Sequence, residues 1–368
     1  MADGKRDSNI EILRIVSMVF IVIFHIAHHG NWDYSLYSPA DLSFNILFLQ
    51  GLLPLGKLGV DIFVLITGYF LITSTRDTWP KIVKLWIHLL FYSLAISLVF
   101  ALWKDAEFTS REILNIFTPT ISYTWWFATT YLILLALSPF INKALNICDR
   151  VTHLKLMIAL IVFWSFIPTL MNTYVEYNNL GWFITLYVTA AYVRKYPVRF
   201  TGTFHRYALF AAILYAAVLA MIYAVDITGY ESEFWNNHGY IYTLTMQNNP
   251  AILLIAVFLL LAFRSVSIPS NKVINAVAAT MFGVYLIHDH ELVRGYIYSD
   301  LFDCFGHSYS DLLPLYCIWM LVCIFAICIA IEFTRQLAID RCLLKKLPER
   351  VESFHGKVDK YIEAHLKE

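Results

Sequence analysis

Residues 10–29 read IEILRIVSMVFIVIFHIAHH. About 20 predominantly apolar residues is the length a helix needs to cross roughly 30 Å of hydrocarbon. The run opens after a charged stretch, MADGKRDSN, and has no small-residue cleavage site behind it. It therefore reads as a retained first helix and not a signal peptide. Comparable runs recur near residues 58–75, 82–103, 125–142, 154–171, 180–195, 205–225, 246–263, 273–290 and 311–334. The expected fold is all-α, a polytopic transmembrane helical bundle of about ten spans.

Composition agrees with that expectation. Of 368 residues, 59% are hydrophobic and only 15% charged, which excludes an ordinary soluble globule. Formal net charge is zero and no basic stripe with interleaved aromatics runs along the chain, so a nucleic-acid partner is excluded and membrane lipid is the expected neighbour. The six cysteines form no CxxC pair, and Cys317, Cys323 and Cys328 fall in one apolar run; they read as packing residues, not a disulfide or zinc framework. No oligomeric state follows from the sequence.

Charge placement orients the chain, because lysine and arginine accumulate in short cytoplasmic loops. With the N-terminus inside, all but Lys57, Lys104, Arg111 and Arg294 of the 27 lysines and arginines lie on the cytoplasmic side. Both termini are then cytoplasmic. The stretch 41–55, DLSFNILFLQGLLPL, is apolar but short and is expected as a separate interfacial or re-entrant helix. Residues 1–336 read as a membrane domain and 337–368 as a cytoplasmic amphipathic tail of mixed sign.

Ionisable groups inside the spans demand a reason, since each costs about 2.5 to 3.5 kcal/mol or more at a helix centre. Arg14 and His25 are separated by 11 residues, about 20° beyond three helical turns, and so share a face. The rise between them is about 16 Å, which puts Arg14 near the cytoplasmic mouth and His25 well across the bilayer. Glu11, Met18 and His28 lie near the same stripe. Arg14 read alone could snorkel to headgroups, and His25 read alone could be a packing residue. His28 and His29 raise a metal reading, but there is no HExxH and both fall at the outer interface; no metal is expected.

Further along, LGVDIFVLITGYF carries Asp61 and Gly68. Asp61 reads either as a helix cap or as a partner that orients a histidine, and Gly68 as a point of close helix or ligand approach. Arg76, Lys81 and Lys84, with Trp79 and Trp86, form a basic cytoplasmic group suited to a lipid headgroup or a phosphorylated cofactor. In MFGVYLIHDHELVRG, His288 and His290 alternate by two and cannot share a helical face, so no second metal site is expected there.

Four segments resemble one family in the same order: Arg14 with His25 as R-x10-H, GVDIFVLITGY (59–69), WWFATTYLILLALSPFIN (125–142) and MFGVYLIH (281–288). The chain is similar, over residues 8–335, to the integral-membrane acyltransferase-3 proteins, which O-acylate surface glycans. It departs from them where KIVK, with Lys81 and Lys84, stands for an R-x-x-R pair and loses the bidentate fork. The resemblance implies an acyl donor, acetyl-CoA first, entering from the cytoplasm past Arg14, Arg76, Lys81 and Lys84. His25 would be the general base, or less directly an acylated nucleophile, with Asp61 orienting it. It implies a surface polysaccharide or lipid-linked glycan acceptor, met by Trp125, Trp126, Tyr131 and His288, in a bacterial plasma membrane. Other outer aromatics, Trp32, Tyr34, Tyr174, Trp182 and Trp235, would stack on sugar. Two rivals are a flippase of lipid-linked sugars, which needs no coenzyme A, and a glycan polymerase, which wants a larger outer loop.

Overall fold

The computed structural model describes residues 7–33, 42–171, 179–197, 203–228, 245–246, 248–340 and 344–365. Among these residues there are helices and turns and no strand. The order is α1 (Ser8–His29), α2 (Phe44–Leu71), α3 (Trp79–Trp103), α4 (Ser110–Phe117), α5 (Trp126–Ile147), α6 (Arg150–Met171) and α7 (Asn179–Lys195). There follow α8 (Phe204–Thr228), α9 (Pro250–Arg264), α10 (Lys272–His288), α11 (Glu291–Gly295), α12 (Leu313–Asp340) and α13 (Leu347–His365). The chain is a polytopic helical bundle. Helices α1, α2, α3, α5, α6, α8 and α12 are long and apolar enough to cross a membrane, while α9 and α10 are apolar but shorter.

Burial sorts the helices into a centre and a rim. In α1 and α2, 61% of the most apolar window is buried inside the protein, against 6% in α6 and 22% in α8 and α12. The rim helices expose leucine, isoleucine and phenylalanine, as lipid-facing surfaces do. Helix α7 is buried on nearly every side, from Trp182 and Phe183 through Ala191. Its threonines and tyrosines meet protein and not hydrocarbon, so it needs no uniformly apolar sequence. Small residues let the central helices close. A Cβ on Gly59 would fall 2.5 Å from the Ser17 carbonyl of α1, and one on Gly68 would fall 2.9 Å from Tyr187 Cα of α7. Gly68 thus serves helix packing.

One expectation is corrected. Residues 44–55 are not a separate interfacial helix but the first half of α2, which runs unbroken through Pro54. Ser43 caps it by accepting from Ile46 N at 3.3 Å. Two bonds from α8 then hold the proline region in line: the Tyr215 hydroxyl donates to the Gly51 carbonyl at 2.5 Å, and Gln50 Nε2 donates to Asp226 Oδ1 at 3.4 Å. These partners lie more than 160 residues away, beyond any local reading. Because α2 begins at Phe44, Asp61 sits in mid-helix and caps nothing.

The basic helix ends gather on one side. Asn9 Nδ2 donates to the carbonyls of Phe263 and Val266 at 2.9 and 3.0 Å, so the start of α1 meets the end of α9. Asn142 Nδ2 donates to the Leu71 carbonyl at 2.9 Å, joining the ends of α5 and α2. Helix α13 lies along α3, where His355 Nδ1 is 2.9 Å from Asp77 Oδ2. The described cysteines are free.

Candidate functional site

A cavity of about 490 Å³ runs between α1, α2, α3, α5, α10 and α12. Arg14 and His25 both line it, as their shared helix face requires. At the Arg14 end its wall carries Glu11, Lys81, Lys84, His88, Glu332, Gln336 and Asp340. Toward His25 it carries Lys57, Phe63, Trp126, Phe127 and Tyr285. One end is polar and charged, the other aromatic with one imidazole and one ammonium.

The charges at the polar end are largely paired, which is how ionisable groups persist in a bundle. Glu11 Oε1 accepts from Arg14 at 2.9 Å, one turn along α1. Glu332 takes Arg335 through both oxygens at 2.9 Å, and Arg335 also bonds Asp340 at 2.9 Å. Tyr92 donates its hydroxyl to Glu332 Oε2 at 2.5 Å. Lys84, expected at the cofactor, pairs with Asp340 at 2.8 Å. Lys81 donates to the Tyr131 hydroxyl at 2.9 Å. Thr67 spends its only proton on the Phe63 carbonyl at 3.0 Å, so the Tyr131 hydroxyl donates to Thr67 Oγ1 at 2.9 Å. Lys81, Tyr131 and Thr67 thereby join α3, α5 and α2 on the wall. Arg76 is exposed and lines a separate cleft with Trp79, Asn142 and His355 of α13, not the cavity that holds His25.

His25 is buried, and its Nδ1 lies 2.8 Å from His288 Nε2. His288 in turn has Nδ1 2.6 Å from the Val284 carbonyl one turn back on α10. A carbonyl only accepts, so His288 Nδ1 carries a proton, and in the neutral ring Nε2 is the acceptor. His25 must then donate from Nδ1. Its Nε2 is left with an unshared pair. The network thus assigns a basic nitrogen to the imidazole on the cavity wall. His288, expected to touch substrate, is fully buried behind His25 instead.

The carboxylate facing His25 is also not the expected one. Asp289 Oδ1 lies 3.7 Å from His25 Nδ1 and 3.4 Å from Arg294. Asp61 is fully buried, and its Oδ1 accepts from Trp182 Nε1 at 2.9 Å. It faces α7, while Lys57, one turn earlier on α2, lines the cavity. Trp182, read as a sugar platform, is enclosed in that bond. Trp125 is enclosed too, edge-on to His290 with centroids 5.3 Å apart, and Trp32 donates to the Ile26 carbonyl at 2.8 Å. Of the aromatics expected at substrate, Trp126 and Tyr131 line the cavity; Tyr34, Tyr174 and Trp235 lie outside the described residues.

His29, half-buried at the end of α1, comes close to His25 and Asp289. One ligand atom from each of His25, His29 and Asp289 falls within 4.8 Å of the others. This donor set suits a transition metal in type. Two of its atoms are already engaged, His25 Nδ1 with His288 and Asp289 Oδ1 with Arg294.

Lys57, Asp289 and the Glu332–Arg335 pair were not singled out from sequence. The signal for Glu332 and Arg335 was present, an acid and a base one turn apart at the end of an apolar run; Lys57 read as an ordinary loop charge.

No curated protein and no solved structure matches the chain. A family profile described as an acyltransferase domain matches residues 7–333. With that match spanning most of the chain and its apolar helices repeatedly long enough to cross a bilayer, the protein is a multi-pass membrane acyltransferase and belongs to the acyltransferase-3 family.

Proposed function

We propose that this chain is an O-acyltransferase that moves an acyl group, acetyl in the first instance, from cytoplasmic acyl-CoA to a hydroxyl of a cell-surface or lipid-linked glycan. The observation that carries the reading is His25 itself: an imidazole held through Nδ1, basic at Nε2, on the wall of a cavity whose other end is polar and carries Arg14 and Lys81. A cavity of about 490 Å³ suits a slender acyl-pantetheine arm. The nucleotide stays at the mouth of the cavity's polar end, where Arg14 and Lys81 on the wall steer its phosphates. The thioester then lies beside His25, which takes the acceptor proton as general base. The acceptor arrives from the opposite side, beside Trp126. The Arg14 end faces the cytoplasm of a bacterial plasma membrane, in accord with the gathering of lysine and arginine there.

The test uses purified wild type and His25→Ala with radiolabelled acetyl-CoA, following label into extracted glycan and release of free coenzyme A. A loss of about 10²- to 10⁴-fold in His25→Ala is expected. Equal turnover by both proteins removes His25 from the chemistry.

A further inference from the structure

The acyl-transfer reading supplies a base but no group for the charge that the reaction creates. When a hydroxyl oxygen attacks a thioester, the carbonyl oxygen becomes anionic, and a preorganised donor aimed at it is commonly the largest single contribution to the rate.

Lys57 is placed for that task. It projects from α2 into the cavity that His25 lines. Its ammonium sits over the rings of Phe24 and Trp126, 5.2 and 5.8 Å from their centroids. Phe24 also packs on His25, with centroids 5.3 Å apart, so one ring joins the base and the cation. Among the described residues no carboxylate comes within ion-pair distance of Lys57 and no acceptor is bonded to it. Asp61, one turn away, directs Oδ1 to Trp182, and Asp289 turns Oδ1 toward Arg294. The cations at the polar end differ: Arg14, Lys81 and Lys84 each have a bonded partner. A lysine among aromatic rings, with Asp61 and Asp289 as electrostatic partners but neither in ion-pair contact, and facing a cavity, favours negative charge that arises in that cavity.

We propose that Lys57 stabilises the oxyanion formed during acyl transfer, a role that rests on the acyl-transfer reading above. The acceptor O–H bond breaks as its proton passes to His25 Nε2, and the oxygen's electron pair forms the new C–O bond. The carbonyl π pair moves onto oxygen, where Lys57 Nζ–H donates to it. That pair returns to re-form C=O as the C–S bond breaks, and the departing thiolate of coenzyme A takes the proton from His25 Nε2.

The experiment compares wild type, Lys57→Met, Lys57→Arg, Lys57→Ala and His25→Ala by kcat and KM with acetyl-CoA. The expected result for Lys57→Met is a fall of about 10²- to 10³-fold in kcat with KM for acetyl-CoA unchanged. Lys57→Arg should retain more activity than Lys57→Met, and added ethylammonium should restore part of the rate in Lys57→Ala, which a purely structural lysine would not permit. A loss confined to KM, or equal rates in Lys57→Met and Lys57→Arg, overturns the proposal. Wild-type kcat in Lys57→Met beside an inactive His25→Ala overturns the role of Lys57 alone. Full turnover by His25→Ala overturns the underlying reading as well.

Discussion

His25 and His288 stand 263 residues apart in the chain, and their ring nitrogens are 2.8 Å apart in the fold. The Val284 carbonyl decides the direction of that bond, and the bond decides which nitrogen of His25 is basic. In the acyl-transfer reading proposed above, His288 acts as a positioning residue, its ring fully buried behind His25.

Replacing His288 tests the relay. His288→Ala removes the acceptor for His25 Nδ1 and frees the ring to take the other tautomer, so kcat should fall by about 10²-fold or more. His288→Gln offers a side-chain carbonyl to the same nitrogen and should recover part of the rate. Recovery by glutamine but not alanine, at equal thermal stability in detergent, checks the role. Equal rates in both variants would refute it.

The donor set of His25, His29 and Asp289 makes a metal experiment decisive. Treatment with a strong chelator should leave turnover unchanged, and His29→Ala should remain active. Inactivation by chelator with recovery on added zinc would assign the three residues to a metal centre instead.

Close approach of α1 and α2 sets where His25 stands. Gly59→Ala places a methyl carbon 2.5 Å from the Ser17 carbonyl and 2.8 Å from Ile21 Cγ1. Backbone cannot turn aside as a side-chain end can, so the helices must separate, at about 1 to 3 kcal/mol. A lowered melting temperature in detergent together with reduced kcat is expected; an unchanged melt would show that the contact is soft.

Glu332 is buried with Arg335, Tyr92 and Gln336 as partners. Glu332→Leu strands much of the guanidinium and should destabilise the protein by about 3 to 5 kcal/mol, whereas Glu332→Leu with Arg335→Leu should recover much of that loss. Chemical denaturation of the two variants in the same detergent checks the order. A double variant less stable than the single one would contradict it.

The same physics explains what could be read in advance. Hydrocarbon admits few structures, so long apolar runs announce helices, and a helix occupies most of each of the ten predicted stretches. The shared face of Arg14 and His25 follows from helix geometry within one element, and the cavity wall carries both. The continuity of α2 through Pro54 did not follow, because Tyr215 and Gln50 secure it across to α8.

Partnerships across helices were the unreadable part. Asp61 and Asp289 are both acids near apolar runs, and nothing local says which one meets His25. That depends on the rotation of α2 and α10 about their axes; Gly59 and Gly68 seat α2 against the neighbouring backbones, and Gly283 seats α10 against Glu332. The same rotation aims Lys57 into the cavity and Asp61 at Trp182. The sequence by itself determined an all-α membrane bundle and one helix bearing Arg14 and His25 on a single stripe, since a helical period belongs to one segment alone. Only the tertiary structure decided that His288 orients His25, that Arg76 lies apart and that Lys57 faces the cavity, because these are distances between helices fixed by how their surfaces pack.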